Sequence, residues 1–314
     1  MKTLPAAFIV AAATMTAFAI PARAAGETLT VCLDENLPPL SAHHRGKPDS
    51  GFDVALAQAI ADRLGRPLKV QWFESKLDED SSPALEANAL LSDGRCALVG
   101  SYALTVDSLV APGVKTAKLP DFDGATRPDR TRRVPLGVLA PSQPYLYSPL
   151  TIALGAKGLE KTRDRPITGV GDLAGMRIGI ESGTLADAIL MTFDNGRLID
   201  DITHLVPGRD DLLGVLERGE LDATLLDLRR IDAWRAAHAD SKIVASGYFY
   251  PIGVNRGYVG LAGDEALLAA VNKALSDLQA AGTIASLARA AGLTYLPPRE
   301  PVILGDVWQK ILGK

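Results

Sequence analysis

Short apolar runs rich in β-branched residues alternate along this chain with stretches whose apolar residues return every three or four positions, and few architectures accommodate that pattern. Residues 29–33 (LTVCL), 68–73 (LKVQWF) and 96–100 (CALVG) read as strands. Between the first two, a helix opens at Gly51-Phe52-Asp53, where Asp53 has N-cap spacing. It places Phe52, Leu56, Ile60 and Leu64 on one face, and Gly65 and Pro67 stop it. A second helix, 83–92, ends at Asp93-Gly94. Strand and helix in strict alternation predict a parallel sheet with helical crossovers. After the β-rich run 150–154 (LTIAL) the pattern restarts. Strands are expected at 177–180, 221–226 and 242–245, with helices over 185–193, 210–218 and 228–238. A final helical stripe (Leu267, Val271, Leu275, Leu278) ends at Gly282, and 293–301 is a tail with three prolines. A chain of 314 residues, 47% hydrophobic, has material for two compact units, and the two alternating series are of unequal size. Residues 106–135, rich in Pro, Gly, Asp and Arg, read as an irregular connection: either a lid or cleft wall, or a solvated loop.

The first residues read as a signal peptide, 1–24: Lys2, then an uncharged run 6–20, then Ala22-Arg23-Ala24 as a cleavage pattern. The run falls short of the roughly 18–20 residues that span a bilayer, which sets this reading against a membrane anchor. Export to the periplasm follows as an expectation. Basic and acidic residues number 33 and 37, and losing Lys2 and Arg23 makes the remainder more acidic. With no basic stripe, nucleic acid and anionic lipid are not expected partners. An even pair of cysteines, Cys32 and Cys96, is a disulfide candidate in an oxidising compartment. No zinc-type spacing links the four His and two Cys. Asp78-Glu79-Asp80 reads as a solvated turn rather than a cation site, and His43-His44 has no partner at ligand spacing. No nucleophile elbow, zinc-protease motif or phosphate loop occurs, so no cofactor or metal is expected.

The order of the motifs resembles the type II periplasmic solute-binding proteins of polar amino-acid and related ABC importers, through nearly the whole chain after residue 24. Asn36-Leu37-Pro38-Pro39 followed by Gly51-Phe52-Asp53 is similar to that family's opening. The segment 93–100 with Thr105 is similar to its third strand and following loop, and 143–149 to its first crossing between lobes. The stretch 172–184 (DLAGMRIGIESGT) is the most specific match, and 219–223 with Asp227, then 250–254, complete the series. The resemblance implies a two-lobed α/β fold, each lobe a mainly parallel sheet flanked by helices, joined by two hinge strands. Lobe 1 would be 25–147 plus 251–314 and lobe 2 would be 148–250, with crossings near 147–154 and 246–251. It also implies a monomer that closes on a small ligand at the carboxyl ends of the strands. In the family's sheet the first and third strands are neighbours, which would bring Cys32 and Cys96 within bridging range; the other reading is two buried thiols.

Two departures bear on the ligand. Where amino-acid-binding members carry an Arg after the third strand, this chain has Ser108, and where an aromatic often follows the first-loop prolines it has Leu40. Both argue against an ordinary α-amino acid. A narrower similarity, on Val31-Cys32, Asn36-Leu37-Pro38 and Gly94-Arg95-Cys96, is to a branch encoded beside quinoprotein methanol or alcohol dehydrogenases; 74–90 and 106–135 differ from it. That similarity implies an accessory partner of a dehydrogenase rather than a feeder of an importer.

Candidate ligand contacts follow from these placements. Asp34 and Asn36 lie beyond the first strand, and Tyr102, Thr105, Tyr145 and Tyr147 flank the third strand and the crossing. Glu181, Ser182, Gly183 and Thr184 form a strand-to-helix turn whose free N–H groups suit an anion, or simply cap the helix. Asp227 follows strand 221–226 and either meets a ligand amine or caps the next helix. Trp72 and Phe73 are assigned to the core. The enzyme alternative, a cleft dehydratase, has only Glu181 and Asp227 as a carboxylate pair.

Overall fold

The computed structural model describes residues 27–75, 81–110 and 113–305. The expected signal peptide and the Asp78–Asp80 cluster lie outside the described residues. The amino-terminal series is β1 (Leu29–Asp34), β2 (Asn36–Leu37), β3 (Ser41–Ala42), α1 (Phe52–Leu64), β4 (Leu68–Glu74), α2 (Pro83–Ser92) and β5 (Leu98–Ala103). Next come α3 (Val106–Leu109), β6 (Thr116–Lys118), β7 (Asp121–Phe122), β8 (Arg133–Pro135) and β9 (Leu139–Pro141). β10 (Leu146–Leu154) leads into α4 (Ala156–Lys161), β11 (Ile178–Glu181), α5 (Leu185–Thr192), β12 (Ile202–Leu205), α6 (Leu212–Glu217), β13 (Ala223–Asp227) and α7 (Leu228–Ala237). The chain returns through β14 (Val244–Leu261) to α8 (Glu265–Ala280) and α9 (Thr283–Ala290).

The strands run β12-β11-β13-β10-β14-β5-β1-β4-β7, with β9 also on β14. Two parallel trios, β12-β11-β13 and β5-β1-β4, stand on either side of an antiparallel pair, β10 and β14. Strand pairing is therefore continuous, whereas two separate sheets are expected from the motif order. The reason is the length of β14, 18 residues, which pairs with β10 along one stretch and with β5 along another. The residues by themselves suggest a short strand at 242–245 and the resemblance adds a crossing near 246–251, but Gly247, Pro251 and Gly253 hide that one strand runs on to Leu261. The structure absorbs those residues with register shifts between Pro149 and Ala153 of β10, where a missing N–H is tolerated.

The cores are not continuous. Two apolar clusters, around Phe52, Leu56 and Val271 and around Leu90, Val99 and Val259, cover the faces of β5-β1-β4. Two others, around Ile178, Ile189 and Leu225 and around Leu212, Leu216 and Ile231, cover those of β11-β13. Trp72 belongs to the first cluster and Phe73 to the second, since successive strand residues face opposite ways.

Three local expectations are revised. The N-cap of α1 is Gly51, not Asp53; Gly51 has φ 119°, and a Cβ there would stand 2.4 Å from Leu40 O. Residues 106–135 are not a free loop in their described part, and of them Ser108 lines the cavity described below. β6 pairs β8, β7 pairs β4, and Ala117, Leu119, Phe122 and Val134 are buried against α2 and β5 neighbours. Arg95 holds the segment by stacking 4.5 Å over Phe122 and bridging Asp93 (2.6 Å) and Asp129 (3.0 Å). Sparse apolar anchors among charged residues give no periodicity to read. The tail also has fixed contacts: Thr294 binds Asp232 of α7 at 2.7 and 2.9 Å, and Asn255 of β14 exchanges bonds with Arg299 at 2.7 and 3.0 Å.

Cys32 of β1 and Cys96, two residues before β5, form a disulfide with Cα atoms 5.6 Å apart. Closing 64 residues restricts the unfolded chain and stabilises the fold by about 4 kcal/mol in the chain-entropy model. Replacing both cysteines by serine is expected to lower the denaturant midpoint by an amount equivalent to roughly 2–4 kcal/mol, measured by urea unfolding; an unchanged midpoint contradicts it.

Candidate functional site

Parallel strands end their backbone ladders at carboxyl edges, and here the edges of β1 and β5, with the neighbouring β14, face α7 across a cavity of about 470 Å³. Asp34, the last residue of β1, borders it with Ser101 and Tyr102 of β5. Arg229 of α7 borders it from the other side and Arg256 from β14, the strand paired with β5, while Leu37, Phe73 and Val99 supply apolar wall. Ser108, at the position of the missing arginine, lines it too, with its hydroxyl donating to Ala103 O at 2.9 Å.

The wall at Ser101 is over-determined. This non-glycine residue sits at φ 52°, a left-handed conformation held by three contacts. Its N–H donates to Tyr145 Oη (2.7 Å), its carbonyl accepts Arg256 Nη1 (2.8 Å), and its hydroxyl donates to Asp53. Asp53 is fully buried and also accepts from Tyr145 Oη at 2.9 Å. Burial pushes its carboxyl up to about 6 despite these donors.

Asp227 is the electrostatic centre. It caps α7 by accepting Arg229 N–H (3.0 Å), accepts Ser148 Oγ (3.0 and 3.1 Å), and pairs with Arg256 Nη2 (3.2 Å) and Arg229 Nε (3.5 Å). Burial alone would raise its carboxyl, but the two guanidiniums outweigh that and hold it below the ordinary value. Burial pushes Arg229 down to about 10, so it stays charged at neutral pH. Burial raises Asp34. Tyr102 is pushed up to about 12 by burial and donates to Ser108 O at 2.5 Å.

The sequence-predicted residues are dispersed around this centre. Asp34 and Tyr102 line the 470 Å³ cavity. Asn36 lines a more open space of about 480 Å³, with Arg229, Arg230 and Trp234 opposite. Glu181, Thr184 and Asp227 line a recess of about 190 Å³ in the second half. Thr184 caps α5 by accepting Asp187 N–H (3.2 Å), and Gly183 N–H is taken by Asp187 Oδ2 (2.8 Å). The turn thus answers its own donors. Ser182 and Gly183 are exposed, Tyr145 is buried in the core, and Thr105 caps α3; none lines these cavities. Tyr147 borders a separate cavity of about 590 Å³ between the hinge strands and the tail, under the Arg299 guanidinium at 4.8 Å. Leu40 is buried in the first core cluster. His43 stacks on Trp72 at 5.1 Å and meets Asp49 at 2.6 Å, an arrangement its sequence neighbours do not disclose. Glu181 is engaged bidentately by Arg230. Both carboxylates of the dehydratase alternative are thus paired with guanidiniums, which weakens each as a general base.

Arg229 and Arg256 are the residues that sequence reasoning missed. One signal was present: Arg229-Arg230 in the first turn of a helix runs against the macrodipole, so a local carboxylate must compensate. For Arg256, within a run read only as a crossing, nothing local marks it.

No family model matches the chain, nor does any curated protein. Among solved structures it is similar to the L-cystine solute receptor of Neisseria gonorrhoeae in its unliganded open conformation, with 19% identity, TM-score 0.59, and 87% of this chain and 96% of that one covered. Substrate-binding domain 2 of Lactococcus lactis GlnP, also open, shows 20% identity, TM-score 0.56, and coverage of 83% and 93%. A histidine kinase sensor domain with similarity to periplasmic binding proteins shows 18%, 0.54, and 86% and 98%. The chain therefore has the type II periplasmic-binding-protein fold, as its motif order led us to expect.

Asp53 gives a pH test. Its folded carboxyl titrates near 6 against about 4 unfolded, so its stabilising contribution is complete below pH 4 and is lost as pH rises to 6. Asp53→Asn is expected to flatten the difference in stability between pH 4 and pH 7 by about 2–3 kcal/mol relative to the parent, by urea titration at each pH; parallel profiles count against it.

Proposed function

We propose that this protein is a periplasmic solute-binding protein that captures a small polar molecule between two lobes, 25–147 plus 251–314 and 148–250, and delivers it to an ABC importer. The observation that carries the reading is the cavity at the strand ends, which charged groups from both proposed lobes border: Asp34 of β1 and Arg256 of β14 from the first, Arg229 of α7 from the second. A ligand touching both sides favours the closed arrangement by its differential contacts, which is how binding becomes a conformational signal. The separate cores support lobes that move as units about β10 and β14. Two of the similar structures are those of a solute receptor and a substrate-binding domain.

The disulfide supports an oxidising compartment, and among the described residues no helix is long and apolar enough to cross a membrane. None of the similar structures named above is described as a dehydrogenase partner, so the quinoprotein reading gains no support from them.

A cognate solute at about a hundred times its dissociation constant is expected to stabilise the protein by about 2.7 kcal/mol. It should also reduce the radius of gyration in X-ray scattering and shift tryptophan emission, since Trp234 borders the open space that Arg229 also lines. A broad panel of polar metabolites producing neither stabilisation nor compaction would count against the receptor role.

A further inference from the structure

The central cavity is bordered by two guanidiniums whose donors the protein does not fully answer. Arg229 and Arg256 both border it and share one counter-ion, Asp227. The two side chains are only 19% and 12% exposed, and the Nε of each is buried without a hydrogen-bond partner. Asp227 is meanwhile fully engaged, by Ser148, by the Arg229 backbone N–H and by both guanidiniums. A ligand ammonium arriving at Asp227 would have to displace one of these partners and face two cations. A ligand carboxylate meets the opposite situation: two guanidiniums with unanswered N–H donors, planar forks that match its geometry, and an apolar wall of Leu37, Phe73 and Val99 that keeps water from screening the contact.

We propose, on the basis of the solute-binding reading, that this cavity selects a small organic carboxylate seated against Arg229 and Arg256, and that Asp227 is the counter-ion positioning those two groups rather than the receptor for a ligand cation. Asp34 also borders the cavity, with no ion pair among the described residues, so a second carboxylate beside it is disfavoured. Monocarboxylates, or acids whose far end is cationic, are therefore preferred over dicarboxylates.

The test uses the mature protein and two probes, propionate and 4-aminobutyrate, each beside the amide in which its carboxylate is a neutral carboxamide. The acids are expected to raise the melting temperature and the amides to leave it unchanged, and Arg256→Gln is expected to abolish the shift. Asp227→Asn gives the opposing sign: the unliganded protein melts lower, while acid binding tightens about threefold to tenfold, because the bound carboxylate takes over the counter-ion's place. Should Arg256→Gln not fold, the sign of the Asp227→Asn effect decides alone. Amides as effective as acids, or loss of acid binding in Asp227→Asn, overturns the proposal. Stabilisation and compaction by neutral or cationic solutes only would sink this inference and leave the receptor role standing; no response to any class sinks both.

Discussion

The antiparallel pairing of β10 with β14 is the interaction on which the rest of the molecule depends. It joins two parallel trios that have separate apolar cores, and its register sets which side chains reach the cavity. Leu146 lies opposite Arg256 and Leu150 opposite Asp227, so one strand brings Ser148 beside the carboxylate and places the guanidinium near Ser101. Side chains alternate along a strand, so a slip of one residue would turn Arg256 to the other face and leave Asp227 without its partner. The register of the pair shifts between Pro149 and Ala153, and such bulges bend a strand without breaking its pairing.

Buried charge is handled differently at the two ends of the second half. Asp222 is fully buried and binds Lys161 (2.7 Å) and Arg177 (2.5 Å), but both partners are 46% exposed, so water solvates their remaining donors. The arrangement ties α4 and β11 to β13 and is complete in itself. Around Asp227 the partners are buried, and the solvent that would answer their spare N–H groups is largely excluded. The same ratio of two cations to one carboxylate is therefore structural in one place and receptive in the other. Ser101 belongs to the receptive side: its strained backbone is held by Asp53 and Tyr145, which lets its carbonyl turn toward Arg256.

Legibility varied with the range of the determinant. α2 occupies the 83–92 expected of it, and α1 ends at Gly65 in the left-handed conformation that its glycine favours. Apolar spacing and terminal residues are local, so they survive in one dimension. The disulfide needed the order of strands as well as two cysteines, and a resemblance supplied that order. Of the residues expected at the site, Asp34 and Tyr102 line the 470 Å³ cavity and Asp227 pairs with two of its arginines, and all three lie in the last two residues of a strand. Tyr145 was misplaced because an aromatic after a loop looks the same whether its hydroxyl meets a ligand or, as here, the buried Asp53. Residues 106–135 concealed their strands because pairing partners such as β4 lie far away in the chain.

The amino-acid sequence by itself determined the alternation of strand and helix, the helix ends, the two-part layout and the acidic balance, all of which follow from periodicity and composition. The tertiary structure decided that one 18-residue strand would stitch the parts together, and that Arg229 and Arg256 would converge on Asp227. The physical reason is that electrostatic partnership depends on distance through space and on exclusion of water, and neither is a function of separation along the chain.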